Sequence, residues 1–157
     1  MPETIDQFRG EHAFLSNFFV VDGGVKIIAY RTLLWAPTTE HLFQALKSDQ
    51  EIDHRMVCSA ATAREAKARG RRVSLRPDWD QVRDHAMDLC LEAKFGPAHP
   101  ELAWRLLDTD DALLVEGNSW GDRYWGVDLK TGVGSNHLGL ALMRLRQRLR
   151  DDLQGEI

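Results

Sequence analysis

A mainly α-helical domain with a few short β-strands is the fold class that this sequence predicts. Apolar residues recur at helical spacing at Val82, Ala86, Leu89, Cys90 and Ala93, and again at Leu138, Leu142, Leu145, Leu149 and Leu153. Thr62-Ala63-Arg64-Glu65 is a capping box, and Gly70 lies where the helix it opens should stop. Strand-like segments are few and short. The chain has 157 residues, 43% hydrophobic and 28% charged, a composition that suits one water-exposed globular domain. No repeat, low-complexity tract or Gly/Ser linker divides it. A single compact domain over residues 1–157, with its core from about 8 to 150, is therefore expected.

The elements follow in order. Phe14-Leu15-Ser16-Asn17-Phe18-Phe19-Val20-Val21 is aromatic and β-branched, Asp22-Gly23-Gly24 signals a turn, and Val25-Lys26-Ile27-Ile28-Ala29-Tyr30 follows; the pattern predicts a short hairpin. Pro37 disfavours helix just before it, and Thr38 or Thr39 can cap the helix that follows. From Glu40 the period is helical, with Leu42, Phe43 and Leu46 on an apolar side and Glu40, Gln44 and Lys47 on a separate strip. Asp78 and Asp80 can cap the helix through Val82–Ala93, which Gly96-Pro97 ends. Pro100 suits the first turn of a helix carrying Leu102, Ala103, Leu106 and Leu107. Ala112-Leu113-Leu114-Val115 reads as a buried strand, and the long Leu138–Leu153 helix comes last.

Lys plus Arg is 20 and Asp plus Glu is 24, a formal net charge of -4. That argues against a general nucleic-acid coat, although a local basic cleft is compatible with it. The start, Met-Pro-Glu-Thr-Ile-Asp-Gln, has no apolar signal region, and no apolar run approaches the ~20 residues of a membrane helix. The two cysteines, Cys58 and Cys90, lie apart from any His cluster, so a reduced cytoplasmic protein without a cysteine metal site is expected.

Four features can carry chemistry. The strip Glu40, Gln44, Lys47 sets a carboxylate, an amide and an ammonium on one face at the head of a helix. On spacing alone, a solvated face with a loose charge pair is the better account; what favours a site is the position of Glu40 at the opening of the helix, just after the Pro-Thr-Thr turn. Residues 116–128, Glu-Gly-Asn-Ser-Trp-Gly-Asp-Arg-Tyr-Trp-Gly-Val-Asp, mix three large aromatics with carboxylates and glycines, a loop suited either to a base or sugar or to plugging the core. Thr131-Gly132-Val133-Gly134-Ser135-Asn136-His137 precedes a helix, where glycine-flanked amides can hold a phosphate or Asn136 can simply cap. Between Arg64 and Arg76 lie six cations, Arg64, Lys67, Arg69, Arg71, Arg72 and Arg76, with Glu65 the lone acid. They can line the approach of a phosphorylated ligand or a nucleic-acid strand, or only keep a helix in water. The later run Arg144, Arg146, Arg148, Arg150 is assigned to solvent and the helix C-terminus. The six histidines make no metal-ligand pattern and no Gly-x-Ser-x-Gly elbow occurs, which leaves carboxylate chemistry.

Taken in order, Phe14–Phe18, Thr39-Glu40-His41-Leu42-Phe43-Gln44-Ala45-Leu46-Lys47, Leu75-Arg76-Pro77-Asp78-Trp79, Ala93-Lys94-Phe95, Asp122-Arg123-Tyr124-Trp125-Gly126 and Gly134-Ser135-Asn136-His137-Leu138-Gly139 resemble the NADAR family, the YbiA-like proteins of NAD and ADP-ribose metabolism. The resemblance spans about Phe8 to Leu149. It implies a mainly helical fold and N-glycosidase chemistry without metal or cofactor. The substrate it implies is either ADP-ribose on guanine bases of nucleic acid or a phosphoribosylamino-pyrimidine intermediate of riboflavin synthesis. No protein partner, toxin–antitoxin or metabolic, is identified by it. The family's catalytic Glu falls on Glu40, its site tryptophan on Trp79 and the acid before Tyr-Trp-Gly on Asp122.

In that reading Asn17 hydrogen-bonds a hydroxyl or base edge, and Gln44 belongs to the polar strip beside Glu40. Lys47, Lys94 and the amides from Gly134 to Asn136 hold phosphates, while Trp79 and Trp125, with Tyr124 beside it, wall the base or ribose. Riboflavin-linked members run from Tyr-Trp-Gly directly into Asp-Gly-Gly. Here Val127 precedes Asp128, and Leu129-Lys130-Thr131 delays the glycines, so Asp128 is not assigned to the site.

Overall fold

The computed structural model describes residues 2–155. In chain order the elements are β1 (Thr4–Ile5), a 3₁₀ helix (Gly10–Leu15), β2 (Val25–Ala29), β3 (Thr32–Ala36), α1 (Thr39–Ala45), α2 (Glu51–Cys58), α3 (Ala63–Gly70), α4 (Trp79–Lys94), α5 (Pro100–Leu107), β4 (Leu113–Leu114), β5 (Gly117–Asn118), β6 (Val127–Asp128) and α6 (His137–Gly155). The mainly helical class with short strands is as the sequence predicts. By their contacts these residues gather into two compact units, 17–94 and 2–16 with 95–155.

In the unit 17–94 the expected hairpin has a different partner. Phe14 and Leu15 end the 3₁₀ helix, and β2 pairs antiparallel with β3, Val25 opposite Ala36 and Ala29 opposite Thr32. The two-residue turn between them is Tyr30-Arg31, at φ 51° and 61°. Positive φ at both positions marks a type I′ turn, which normally announces itself through Asn-Gly or Asp-Gly. Tyr-Arg carries no such signal, whereas Asp22-Gly23-Gly24 does. That glycine turn only folds the chain back, with Gly24 N donating to Val21 O at 2.8 Å and Val21 N to Pro37 O at 2.9 Å.

Thr38 caps α1, its hydroxyl accepting from His41 N at 3.3 Å. Every residue of α1 is buried, because α2, α3, α4 and β3 all pack against it. The helix has no solvated face, so the reading of Glu40 and Gln44 as part of one is overturned. The Thr62 half of the capping box forms, Glu65 N donating to Thr62 Oγ1 at 3.1 Å, while Glu65 Oε2 accepts from Ala61 N, one residue before the cap, at 2.9 Å. Ala63, Ala66 and Gly70 are the buried residues of α3, and small side chains there let α3 approach α1 closely. α4 starts where Asp78 O accepts from Gln81 N and Val82 N. The Asp78 carboxylate is held by Arg76 at 2.6 and 2.8 Å, and Asp80 lies inside the first turn.

In the other unit, β1 runs parallel to β4, β5 parallel to β6, and α6 packs on β4 and α5. Pro100 is at the start of α5, as expected. The leucine stripe of α6 is buried at Leu138, Leu142 and Leu145 and comes out toward solvent at Leu153. The assignment of Arg146 and Arg150 to solvent and the helix end is overturned. Arg146 is buried, Nη1 donating to Thr109 Oγ1 at 2.8 Å, and Arg150 pairs with Asp111 at 2.9 Å and with Asp110 O. Their partners come from the loop before β4, which helical periodicity cannot reveal.

The hairpin turn yields a test. Arg31 at φ 61° bears a left-handed cost that glycine does not. Arg31→Gly should stabilise by about 0.5–1 kcal/mol, read as a Tm rise of roughly 1–4 °C, while Arg31→Ala should give no gain. An unchanged or lower Tm for the glycine variant would contradict the turn assignment.

Candidate active site

Glu40 enters the second residue of α1 with its backbone N–H donating to Asn17 O at 3.0 Å. Its side chain is buried, 7% exposed. Gln44, one turn on, donates from Nε2 to Glu40 Oε1 at 2.8 Å. An amide that donates to a carboxylate must aim its own oxygen away, and Gln44 Oε1 is buried with no hydrogen-bond partner. Leaving an acceptor unsatisfied costs about 1–3 kcal/mol, so the orientation of the carboxylate is held against stability. Gly70 explains why the amide fits: a methyl group there would overlap Gln44 Oε1.

One cation, Lys47, interacts with this carboxylate. Lys47, half-buried, has its pKa lowered chiefly by burial; Glu40 opposes the shift, while Lys67 and Arg71 reinforce it. Glu40 also helps raise the Cys90 thiol, whose shift is mainly desolvation. Cys58 is pushed up to about 11 by burial. Both cysteines are free thiols, and neither supplies a thiolate nucleophile near neutral pH.

The other predicted residues of this unit do different work. Asn17 accepts from Thr39 Oγ1 at 3.0 Å through Oδ1 and donates Nδ2 to Met87 Sδ at 3.3 Å. These bonds brace the start of α1. Trp79 is buried, its ring tilted 51° at 5.2 Å from Phe43, so it packs against α1 and presents no open stacking face. Lys94 is fully buried with Nζ 5.5 Å from the Phe19 ring. His41 is fully buried. Its Nε2 donates to Ala60 O at 2.9 Å, leaving Nδ1 to accept from Thr38 Oγ1 at 2.7 Å. Burial lowers the His41 pKa, and the bond to Ala60 opposes that only in part.

In the unit 2–16 with 95–155, Asp122 shapes a loop. Its Oδ1 accepts from Tyr124 N at 3.0 Å and Trp125 N at 2.9 Å. Asn118, 1% exposed, clamps Asp122 from both sides, accepting from its N–H and donating to its carbonyl, each at 2.9 Å. The loop so held presents half-buried Tyr124 and Trp125, edge to face at 4.9 Å, with His137 4.3 Å from Tyr124. Of the amides expected to form a cradle from Gly134 to Asn136, those of Ser135 and Asn136 have partners within the chain. Ser135 N donates to Arg123 O, Asn136 N to Gly126 O, His137 N to Tyr124 O and Leu138 N to Trp125 O, at 2.8–3.2 Å. The Asn136 side chain bonds Glu116 N and Leu114 O, and Gly134 allows close packing on Gly126 and Val127. These groups tie α6 to the aromatic loop. Asp128 accepts from Lys130 N at 2.9 Å and lies 3.5 Å from Arg123, a bracing role.

A cavity of about 590 Å³ in this unit is lined by Glu3, Glu11, His12, Arg105, Asp108 and Asp110, among others. Among the described residues, no group of three His, Cys, Asp or Glu is arranged to hold a metal, and no helix is long and apolar enough to cross a membrane. Sequence reasoning passed over Gly70 and Asn118. Gly70 reads as a helix stop and Asn118 as loop filler; the only available signal was the spacing of Asn118 from Asp122, which is common in turns.

The NADAR domain family profile matches residues 6–150. N-glycosidase YbiA of Shigella flexneri serotype 5b is 41% identical over 148 residues, covering 93% of this chain and 84% of that protein. YbiA of Escherichia coli K12 is 41% identical over 115 residues, covering 72% and 70%. N-glycosidase Npun_R5314 of Nostoc punctiforme is 40% identical over 122 residues, covering 74% and 76%. The NMR structure of E. coli YbiA superposes with a TM-score of 0.78 at 34% identity, over 98% of this chain and 89% of that one.

Two outcomes follow from this geometry. Gly70→Ala should destabilise by about 1–3 kcal/mol through overpacking on Gln44, seen in chemical denaturation; a neutral result would mean that the amide has room to move. His41 binds a proton less readily folded than unfolded. Stability should therefore be flat above pH ~6.5 and fall as pH drops from there through the folded pKa. Urea midpoints at pH 7.5 and 5.5, with an NMR titration of His41, check this. Titration at or above ~6.5 would refute it.

Proposed function

The chain belongs to the NADAR family, and from that premise we propose that it is an N-glycosidase that hydrolyses a ribosyl C–N bond, releasing ADP-ribose from modified guanine bases of nucleic acid, with Glu40 as the catalytic carboxylate. The observation that carries this reading is the buried Glu40 carboxylate, oriented by Gln44 at 2.8 Å and beside the Lys47 ammonium. N-glycosidase chemistry is supported by the names of the relatives. The choice of ADP-ribosyl guanine is ours.

Breaking the bond from the ribose anomeric carbon to nitrogen sends the electron pair to the base, which takes up a proton, and leaves positive charge on the sugar ring. A fixed carboxylate stabilises that charge and accepts a proton from the water that attacks the same carbon. Gln44 keeps the carboxylate aimed without solvent reorganisation. Lys47 offers charge to a phosphate. The loop shaped by Asp122 is assigned to substrate binding on its own chemistry, since half-buried Tyr124 and Trp125 rings suit a base or a ribose face.

Glu40→Gln keeps shape and removes charge. Release of free ADP-ribose from a guanine-modified oligonucleotide should fall about 10²–10⁴-fold, with an unchanged circular dichroism spectrum. Mass spectrometry of products from ADP-ribosylated DNA, ADP-ribosylated RNA and phosphoribosylamino-uracil identifies the substrate. Turnover of the uracil compound alone would move the assignment to a riboflavin-type intermediate. Tight ADP-ribose binding with no release from any of the three would make the chain a binding module.

A further inference from the structure

We infer that the outward face of the β2–β3 hairpin is a homodimer interface, which pairs with the same face of a second copy of this chain. The inference is independent of the hydrolase reading, because no residue of this face belongs to the candidate active site. Side chains alternate along both strands. Val25, Ile27, Leu34 and Ala36 are buried, while Lys26, Ile28, Leu33 and Trp35 are exposed. An antiparallel sheet with one wet face normally carries polar residues on it. Here three of the four are apolar: Ile28 is 74% exposed, Leu33 61% and Trp35 48%. The two strands therefore read as nearly continuous apolar runs, the pattern of strands covered on both faces.

The face is preformed as well as apolar. Trp35 Nε1 donates to Gly23 O at 2.9 Å, and the indole lies so close to Gly24 that a methyl group there would overlap it. The one polar atom of the ring is thus bonded within the chain, and the ring is held before any partner arrives. A fixed tryptophan loses little conformational entropy on association, which suits it to anchor an interface. Ile28 stands opposite Leu33, and Lys26 opposite Trp35.

A second copy is the occupant that fits these pairs. Turned about a two-fold axis parallel to the strands, β2 lies over β3 of the other copy. Ile28 then meets the partner's Leu33, and Lys26 meets the indole of the partner's Trp35, a favourable cation–π pairing. Asp22 precedes the glycine turn to which Trp35 is bonded, so the same rotation brings it toward the partner's Lys26. Asp22 and Lys26 are both exposed, and neither has an ion-pair partner among the described residues. The face thus carries one cation and one anion that are unpaired in a single chain and paired twice across the two-fold axis. Its size sets the affinity. Ile28, Leu33 and Trp35 leave roughly 300 Å² of apolar surface open, with exposed Asp22, Lys26, Tyr30 and Thr32 as a polar rim. Burying about 600 Å² per copy puts the pair at the low end of specific interfaces, so the dimer is micromolar.

Sedimentation velocity of the full chain, from about 2 to about 500 µM, tests the interface. The weight-average mass should rise from near 17.9 kDa toward twice that value across this range. Ile28→Lys/Leu33→Lys should weaken association by about a hundredfold or more, with an unchanged circular dichroism spectrum, since both side chains are exposed in the single chain. Trp35 is left in place because it holds the Gly23-Gly24 turn. Lys26→Asp should weaken association severalfold, and adding Asp22→Lys should restore it, because the pair is remade with its signs reversed. This charge exchange keeps the test decisive should the lysine variant unfold. A mass that stays at 17.9 kDa up to the highest concentration would overturn the interface. So would association that the double lysine variant leaves intact, or a loss in Lys26→Asp that Asp22→Lys does not recover.

Discussion

The hydrogen bond from Gln44 to Glu40 is the constraint around which the unit 17–94 is arranged. It buries a carboxylate in a helix that is covered on every side. Charge burial of that kind is tolerated only with fixed donors and nearby countercharge. Here the donor is an amide whose own oxygen has no partner, and the countercharge is an ammonium that burial has made easier to deprotonate. Asn17 holds the backbone of Glu40, Thr38 caps the turn and Gly70 clears room for the amide. The bond from Glu40 N and the Thr38 cap satisfy backbone groups at the start of α1. Together they fix one side chain's direction, as a reacting group requires.

The other unit solves a similar problem with different means. There the backbone of an irregular loop must be held so that two aromatic rings stand half-exposed. Asn118 and Asp122 supply side-chain acceptors and donors in place of a sheet ladder, and the first amides of α6 go to loop carbonyls. The start of a helix is often an anion site because its amides lack partners. In this protein the partners are built in, so the glycines of residues 132–134 serve loop packing and chain reversal.

Several elements were legible in the chain itself. The capping box at Thr62, the proline that opens α5, the leucine stripe of α6 and the helix beginning after Thr38 are all set by interactions within a turn or two, and short-range patterns report short-range physics. The family motifs likewise marked Glu40 and Asp122 as residues of interest. The β2–β3 hairpin was not legible, because its turn is made by Tyr30 and Arg31 in a conformation that these residues rarely adopt.

What the sequence by itself determined, then, is the helical class, the caps and the identity of the acidic residue at the head of α1. Only tertiary structure decided that this acid is enclosed and oriented, that Asn17 and Trp79 brace rather than expose themselves, and that Arg146 is buried against Thr109. The physical reason is the same in each case. Burial and hydrogen-bond pairing depend on which distant segment arrives as neighbour, and α1 has four such neighbours that no periodicity within its own seven residues could announce.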